Sequence, residues 1–308
     1  MKIVFMGTPE FAVPSLELLI REGYALPAVV TAPDKPRGRG QRISSTPVKE
    51  CALRHHLTIL QPERLDDPAF IESLQRSSPD LIVVVAFRIL PSEVFKVPLQ
   101  GTFNLHASLL PRYRGAAPIN WAIINGEYES GVTTFFLKEK VDTGDVILQA
   151  RVAITETMTA GELHDILAEV GAEIVLQTVR LIEQGKAKPI PQEHAEATPA
   201  PKIFRDDCRI RWENPPGRIH NFIRGLSPLP TAWTMHGETI LKIYRSRISG
   251  AGQGERKPGC VHVHDGRLEV SAGGGTIEIT EIQQEGKKRL GSEEFLRGYR
   301  LEEGDFLV

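Results

Sequence analysis

Residues 81–86 read Leu-Ile-Val-Val-Val-Ala, an almost unbroken run of aliphatic and β-branched side chains. A half-solvated strand alternates apolar and polar residues, and this segment does not. A run that is apolar on both faces suits a parallel strand covered on both sides. Parallel neighbours require long crossovers, usually helices, and the surrounding sequence supplies them. Lys2–Met6 and Ala25–Thr31 read as further strands. Between them, Pro14–Arg21 reads as a helix with proline in its first turn and Gly23 beyond its end. Helices over Pro47–His55 and Pro68–Ser77, and strands at Thr58–Leu60, Thr102–His106 and Gly131–Phe136, continue the alternation. Thr159 and Glu162 have capping-box spacing, so a long helix is expected from there toward Gln184. The expected architecture of the first two-thirds is an open α/β sheet.

The pattern changes after residue 184. Residues 185–206 contain Pro189, Pro191, Pro199 and Pro201 with little periodicity, and read as a linker that can order against a surface. Asn214-Pro215 should open a short helix ending near Gly225. Short strands follow at Thr239–Arg245, Gly259–Val263, Arg267–Ser271 and Thr276–Ile282, separated by glycine-rich turns. That suits a small β-barrel of about 100 residues, for which an OB-like barrel is one candidate. The expected division is 1–184, a linker over 185–206, and 207–308.

Composition narrows the compartment and the partners. The 308 residues carry a net charge of −2, so no global field draws nucleic acid. Residues 207–308 hold 15 basic against 14 acidic side chains, so any RNA-binding face there is a stripe. The three cysteines, Cys51, Cys208 and Cys260, lie far apart and fit a reducing compartment. The opening MKIVFMGTPEF is too short in its apolar part for a signal peptide. No apolar run approaches the ~20 residues of a membrane helix. A cytoplasmic protein without a membrane partner is expected.

The densest polar cluster runs from Thr102 to Pro118. Asn104 and His106 lie two apart on one strand, so their side chains leave the same face. They sit near the strand's C-terminal end, where open α/β sheets bind ligands. A second cluster is Lys140-Val-Asp142-Thr-Gly-Asp145. Taken alone, Asp-Thr-Gly is a turn, with Asp142 forming an Asx-turn and Gly144 at positive φ. An amide, an imidazole and a carboxylate together suit acyl transfer to an amine. Asn104 can donate to a tetrahedral oxyanion, and His106 can donate or shuttle protons. Asp142 can orient the imidazole or accept the amine's proton through water. No serine or cysteine occupies a nucleophile-elbow motif, which favours direct transfer. Gly7-Thr8-Pro9-Glu10-Phe11 lacks the three glycines of a dinucleotide fingerprint and the lysine of a P-loop. His262 and His264, and the adjacent His55 and His56, have no neighbours at zinc spacing, so no metal is expected.

Residues 34–42 place Lys35, Arg37, Arg39 and Arg42 in one basic loop. Such a loop is either a solvated, mobile surface or a phosphate-seeking arm that orders on RNA. Lys242, Arg245, Arg247 and Lys287-Lys288-Arg289 are further candidates for RNA contact.

The segments FMGTPEFAVPSLELL, PDKPRGRGQR, STPVK, FNLHASLLPRYRGAAPINWAI and VDTGD resemble the methionyl-tRNA formyltransferase family along nearly the whole chain. The resemblance implies a Rossmann-like catalytic domain with a predominantly parallel sheet joined to an OB-like tRNA-binding domain. It implies 10-formyltetrahydrofolate as co-substrate, initiator methionyl-tRNA as acceptor, and Asn104, His106 and Asp142 as catalytic positions. Ser108, Leu109, Leu110 and Pro111 match the segment assigned to folate. Arg39 sits where the family has an arginine that helps recognise the acceptor end of the tRNA, with Lys35, Arg37 and Arg42 beside it. The chain departs from the family at Phe87-Arg88, where many members have Tyr-Gly. Phe87–Leu90 is similar instead to the folate-pocket segment of glycinamide ribonucleotide formyltransferases, which brings Arg88 and Leu90 into the folate set. No obligate protein partner is implied, and a monomer is compatible with the sequence. Two alternatives stay open. One is a formyltransferase for another amine, such as an amino sugar nucleotide or glycinamide ribonucleotide. The other is a nucleic-acid-binding module on a degenerate Rossmann domain, which leaves the Asn/His/Asp set unexplained.

Overall fold

The computed structural model describes residues 1–37, 42–251 and 257–308, with backbone alone for residues 36, 37, 42, 43 and 251. Two compact units interleave along the chain. One comprises Met1–Gly115, Ser130–Val152 and His164–Pro199, the other Ala116–Glu129, Ala153–Leu163 and Ala200–Val308.

The first unit is built on a seven-stranded sheet. From one edge to the other its strands are Val146–Ala153, Glu129–Phe136, Thr102–His106, Leu81–Val85, Lys2–Gly7, Ala25–Val30 and Ile59–Leu60. The last five are mutually parallel. Glu129–Phe136 runs antiparallel to Thr102–His106, with Thr133 opposite His106. All five residues of Leu81–Val85 are at most 4% exposed, as the unbroken apolar run demands. Ile82 and Val84 pack with Val4, Met6, Phe70, Leu74 and Val94 on one face. On the other, Leu105 meets Gly171 of the helix Ala160–Glu183 so closely that a Cβ there would lie 2.7 Å from Leu105 Cδ2. Burying each such side chain contributes roughly 1.5–3 kcal/mol.

The expected strands and helices of this unit are present, with ends shifted by a residue or two. The strand Val146–Ala153 and the short helix Ser92–Phe95 were not foreseen. The described ends of the basic loop also differ from a wholly irregular segment. Lys35–Arg37 and Arg42–Ser44 pair antiparallel, with Arg37 opposite Arg42. Arg39 lies outside the described residues.

In the second unit Ala232–His236, Thr239–Ala251, Gly275–Gln284, Arg267–Ala272 and Val261–His264 follow one another across an antiparallel sheet, with Leu290–Gly291 added beside Gly275–Gln284. The two end strands form no ladder with each other, so a closed barrel is not what the strands themselves make. The C-terminal residues bond to both edges. Val308 exchanges backbone hydrogen bonds with Met235, while Asp305 O and Gly259 O accept from Val261 and Leu307. The helix Pro216–Gly225 seats Ile219 and Ile223 in the core with Trp212, Leu241, Ile243 and Ile279. The helix Pro118–Ile124 also belongs to this unit and was not foreseen. The capping box of Ala160–Glu183 is present: Thr159 N–H donates to Glu162 Oε2 at 2.8 Å, and Glu162 N–H to Thr159 Oγ1 at 3.3 Å. No helix among the described residues is long and apolar enough to cross a membrane.

Candidate active site

Asn104 and His106 end the strand Thr102–His106, at the carboxyl side of the parallel sheet. The strand rise separates their Cα atoms by about 6.6 Å along one face. Phe103 and Leu105 point the other way and are 0% and 3% exposed, which fixes the register of the polar pair. Among the described residues the Asn104 side-chain amide has no hydrogen-bond partner, so its N–H donors are available.

His106 is 6% exposed. Its Nε2 lies 2.8 Å from the carbonyl oxygen of Tyr113. A carbonyl only accepts, so Nε2 carries the proton and Nδ1 is the nitrogen left for chemistry. Nδ1 faces Asp142 Oδ2 at 3.9 Å. That carboxylate oxygen also accepts from the backbone N–H of Gly115 at 3.0 Å. Asp142 takes the left-handed conformation, with φ of 54°. Gly144 does not, contrary to the turn expected from the sequence. Glycine is required at 144 for space: a Cβ there would sit 1.5 Å from the carbonyl oxygen of Phe136.

The segment 108–112 is held from within and from the neighbouring strands. Ser108 Oγ donates to Arg112 O at 2.7 Å and is fully buried. Thr133 Oγ1 donates to Ser108 O at 2.6 Å and accepts from Leu110 N–H at 3.1 Å. Gln149 Nε2 donates to Leu110 O at 2.8 Å. Leu110 is 4% exposed, while Leu109 and Pro111 are half-buried. This part of the unit therefore offers backbone groups and the edges of Leu109 and Pro111 to a ligand.

Arg88 and Leu90 follow the adjacent strand Leu81–Val85, whose Val84 is the register partner of Asn104. Leu90 is buried in the core. The Arg88 guanidinium donates to Pro62 O and Glu63 O at 2.7 and 2.8 Å and lies over the Phe87 ring. Burial lowers its proton affinity below that of a free guanidinium. An open cleft of about 650 Å³ is lined by Arg88, Ile89, Pro91, Glu93, Leu65 and Ile71.

Of the loop's basic candidates, only the Lys35 side chain is among those described. Lys35 is exposed at the start of its hairpin. Its neighbour Asp34 is tied down by Lys49 Nζ at 2.5 Å and Gln61 Nε2 at 2.9 Å. Those two bonds, Lys49 first, hold the Asp34 carboxyl below the ordinary range. Three potential metal ligands, Glu17, Cys51 and His55, lie within 4.8 Å of one another. Arg54 already occupies Glu17 at 2.8 Å, and burial pushes the Cys51 thiol up to about 11, both unfavourable to a thiolate–metal bond.

Sequence reasoning missed the residues that hold the centre in place. Thr133, Gln149 and Gln192 carry no motif, Arg114 lies in the PRYRG stretch but was given no role, and Gln192 lies in the proline-rich segment read as a linker. It is 8% exposed.

The chain matches the formyl transferase family over residues 1–179 and the formyl transferase C-terminal domain over residues 202–300. It is 49% identical to the methionyl-tRNA formyltransferase of Bacteroides fragilis over 314 aligned residues, covering 98% of this chain and 96% of the relative. It is 47% identical to the methionyl-tRNA formyltransferase of Caldanaerobacter subterraneus subsp. tengcongensis, covering 100% of both. Among solved structures, an N-formyltransferase from Helicobacter canadensis complexed with folinic acid and dTDP-3-aminofucose shares the fold at a TM-score of 0.67 and 22% identity, over 92% of this chain and 99% of that one. HypX from Aquifex aeolicus in complex with tetrahydrofolic acid matches at a TM-score of 0.65 and 22% identity, over 100% of this chain and 50% of that one. The chain belongs to the methionyl-tRNA formyltransferase family.

Proposed function

We propose that this chain transfers the formyl group of 10-formyltetrahydrofolate to the free amino group of initiator methionyl-tRNA, giving N-formylmethionyl-tRNA. The observation that carries the chemistry is the placement of Asn104, whose amide has no partner among the described residues, on the same strand face as His106, whose Nδ1 faces Asp142 at 3.9 Å. The amine lone pair attacks the formyl carbon, and its carbonyl oxygen becomes an oxyanion that accepts from Asn104. The amine then loses a proton to Asp142, directly or through water. The carbon–N10 bond breaks, and N10 gains a proton supplied through His106 Nδ1, so one proton passes from acceptor to donor overall. Asp142 relays the amine's proton to His106 Nδ1 and is thereby restored to the carboxylate, so the proton that reaches N10 is the one the amine gave up.

In this reading residues 1–184 carry the transfer, 185–206 connect, and 207–308 bind tRNA. Folate lies against Arg88, Leu90 and Ser108–Pro111. The buried leucine side chains and the internally bonded Ser108 mean that backbone groups supply the polar contacts there. Lys35, Arg37, Arg39 and Arg42 take the acceptor end of the tRNA. The reaction needs no metal, so dialysis against a chelator leaves turnover unchanged. The protein works in the cytoplasm. The deciding experiment incubates it with 10-formyltetrahydrofolate and aminoacylated initiator tRNA and looks for N-formylmethionine. Parallel reactions offer an amino sugar nucleotide or glycinamide ribonucleotide, acceptors of the kind used by its more distant fold relatives. Formylation of either in preference to the tRNA would displace the reading.

A further inference from the structure

Asp142 is an aspartate in left-handed backbone conformation. Such a residue persists only where its surroundings over-determine it. Its carboxylate has one backbone donor, Gly115 N–H. Its carbonyl is held by the Gln192 side chain, whose Nε2 donates to Asp142 O at 3.0 Å and to Gly144 O at 2.7 Å. One amide thus grips the turn on both sides of Thr143. Its own orientation is fixed from the other end: Gln192 Oε1 accepts from Arg114 Nη2 at 2.6 Å and Nε at 3.2 Å. Arg114 lies between two residues that already touch the centre. Tyr113 O takes the His106 Nε2–H, and Gly115 N–H takes the Asp142 carboxylate. Three consecutive residues therefore address the imidazole, the amide clamp and the carboxylate in turn.

We infer that Gln192, oriented by Arg114, is a positioning residue that holds Asp142 against His106 in the transferring geometry. The inference rests on the catalytic reading of Asp142 given above. Gln192 touches no reacting atom in this scheme. Its effect passes through the backbone carbonyls of residues 142 and 144, so it acts on turnover and not on affinity for either substrate.

The test is a double-mutant cycle under single-turnover conditions with enzyme in excess, so that slow variants remain measurable. Gln192→Ala in the natural background should lower the transfer rate by tenfold or more and leave KM for both substrates within twofold. In an Asp142→Asn background the same change should cost less than twofold, because the group it positions is already gone. Gln192→Glu covers the case in which Gln192→Ala does not fold. A glutamate keeps the acceptor for Arg114 and loses both donors, so it should match Gln192→Ala in rate. Equal losses in both backgrounds, or full activity in Gln192→Glu, would overturn the inference and leave the role of Asp142 standing. Wild-type turnover in Asp142→Asn would remove the catalytic reading and the inference together.

Discussion

Replacing Gly144 with alanine tests how tightly the carboxylate's turn is fitted. The added Cβ would lie 1.5 Å from Phe136 O, 2.8 Å from Phe136 C and 3.1 Å from Phe135 Cδ2. The first two are backbone atoms of the strand Glu129–Phe136 and cannot swing aside as a side chain would. Real Cβ atoms essentially never approach closer than 3.0 Å, so the turn must withdraw by about 1.5 Å. That movement strains the Gln192 bonds to residues 142 and 144 and the Phe136 N–H bond to Asp145 O. It also shifts Asp142 relative to His106, which starts at 3.9 Å. A misplacement of about 1 Å costs on the order of 10²-fold in rate, or about 2.7 kcal/mol of transition-state stabilisation. Stability should fall by about 1–3 kcal/mol, the usual cost of overpacking a well-fitted buried site. The assay is formyl transfer to methionyl-tRNA with kcat and KM resolved, alongside thermal unfolding. Gly217→Ala is the control: nothing lies within 4 Å of its Cβ position in the helix Pro216–Gly225. That change should leave activity alone and stabilise by about 0.4–1 kcal/mol. Wild-type turnover in Gly144→Ala would refute the claim that the turn's position sets the rate.

His106→Ala and Asp142→Asn should each lower turnover by on the order of 10²–10⁴ with little change in folding; a folded variant with full activity removes that residue from the mechanism. Arg39→Ala should weaken catalysis on methionyl-tRNA by at least about tenfold, about 1.4 kcal/mol, with a shallower salt dependence of tRNA binding and unchanged folate affinity; lost folate affinity with normal tRNA kinetics would move the loop to the donor site. At pH 8 an alkylating agent should label partly exposed Cys260 well before Cys51 and Cys208, since burial pushes both of those thiols up to about 11. In the unfolded chain both titrate near 9.0. The folded state therefore holds more protons above that value, and stability should decline between about pH 9 and 11; an unfolding midpoint that rises over this window would contradict the assignment.

The parallel core was legible because its signal is local. Leu81–Val85 is buried on both faces, and only a covered parallel strand tolerates five such residues in a row. The polar pair at 104 and 106 was legible for the same reason: period-two alternation places both side chains on one face whatever surrounds them. Val146–Ala153 escaped notice because it carries Gln149 and Arg151 and is buried only at Ile147, as an edge strand of a sheet allows. The clamp on Asp142 was not legible at all. Gln192 is 50 residues from Asp142 in sequence, and its bonds go to backbone carbonyls, which every residue possesses. The conformation of the turn was misread in an instructive way. Glycine was taken as the residue with positive φ, since it bears that conformation most cheaply. Close approach to Phe136 O takes the glycine, and the aspartate bears the strain.

That exchange of roles has a chemical consequence. A flexible carboxylate beside a histidine would pair with whichever ring nitrogen it reached, and the imidazole would follow either tautomer. Here both partners are fixed by main-chain atoms of a single segment. Tyr113, itself at φ of 59°, aims its carbonyl at Nε2, so the proton on that nitrogen is committed. Gly115 N–H takes Asp142 Oδ2 and holds it on the Nδ1 side. Under the proposed mechanism a proton leaving the acceptor amine would meet one carboxylate and one ring nitrogen in a set order, 3.9 Å apart, with the Asn104 amide on the same strand face as that imidazole. Shortening the segment 112–115 by one residue would disturb both anchors, freeing the ring to flip and the carboxylate to leave the Nδ1 side. Under the proposed mechanism, the order of the proton path would be set by the backbone that follows the strand Thr102–His106 as well as by the three side chains.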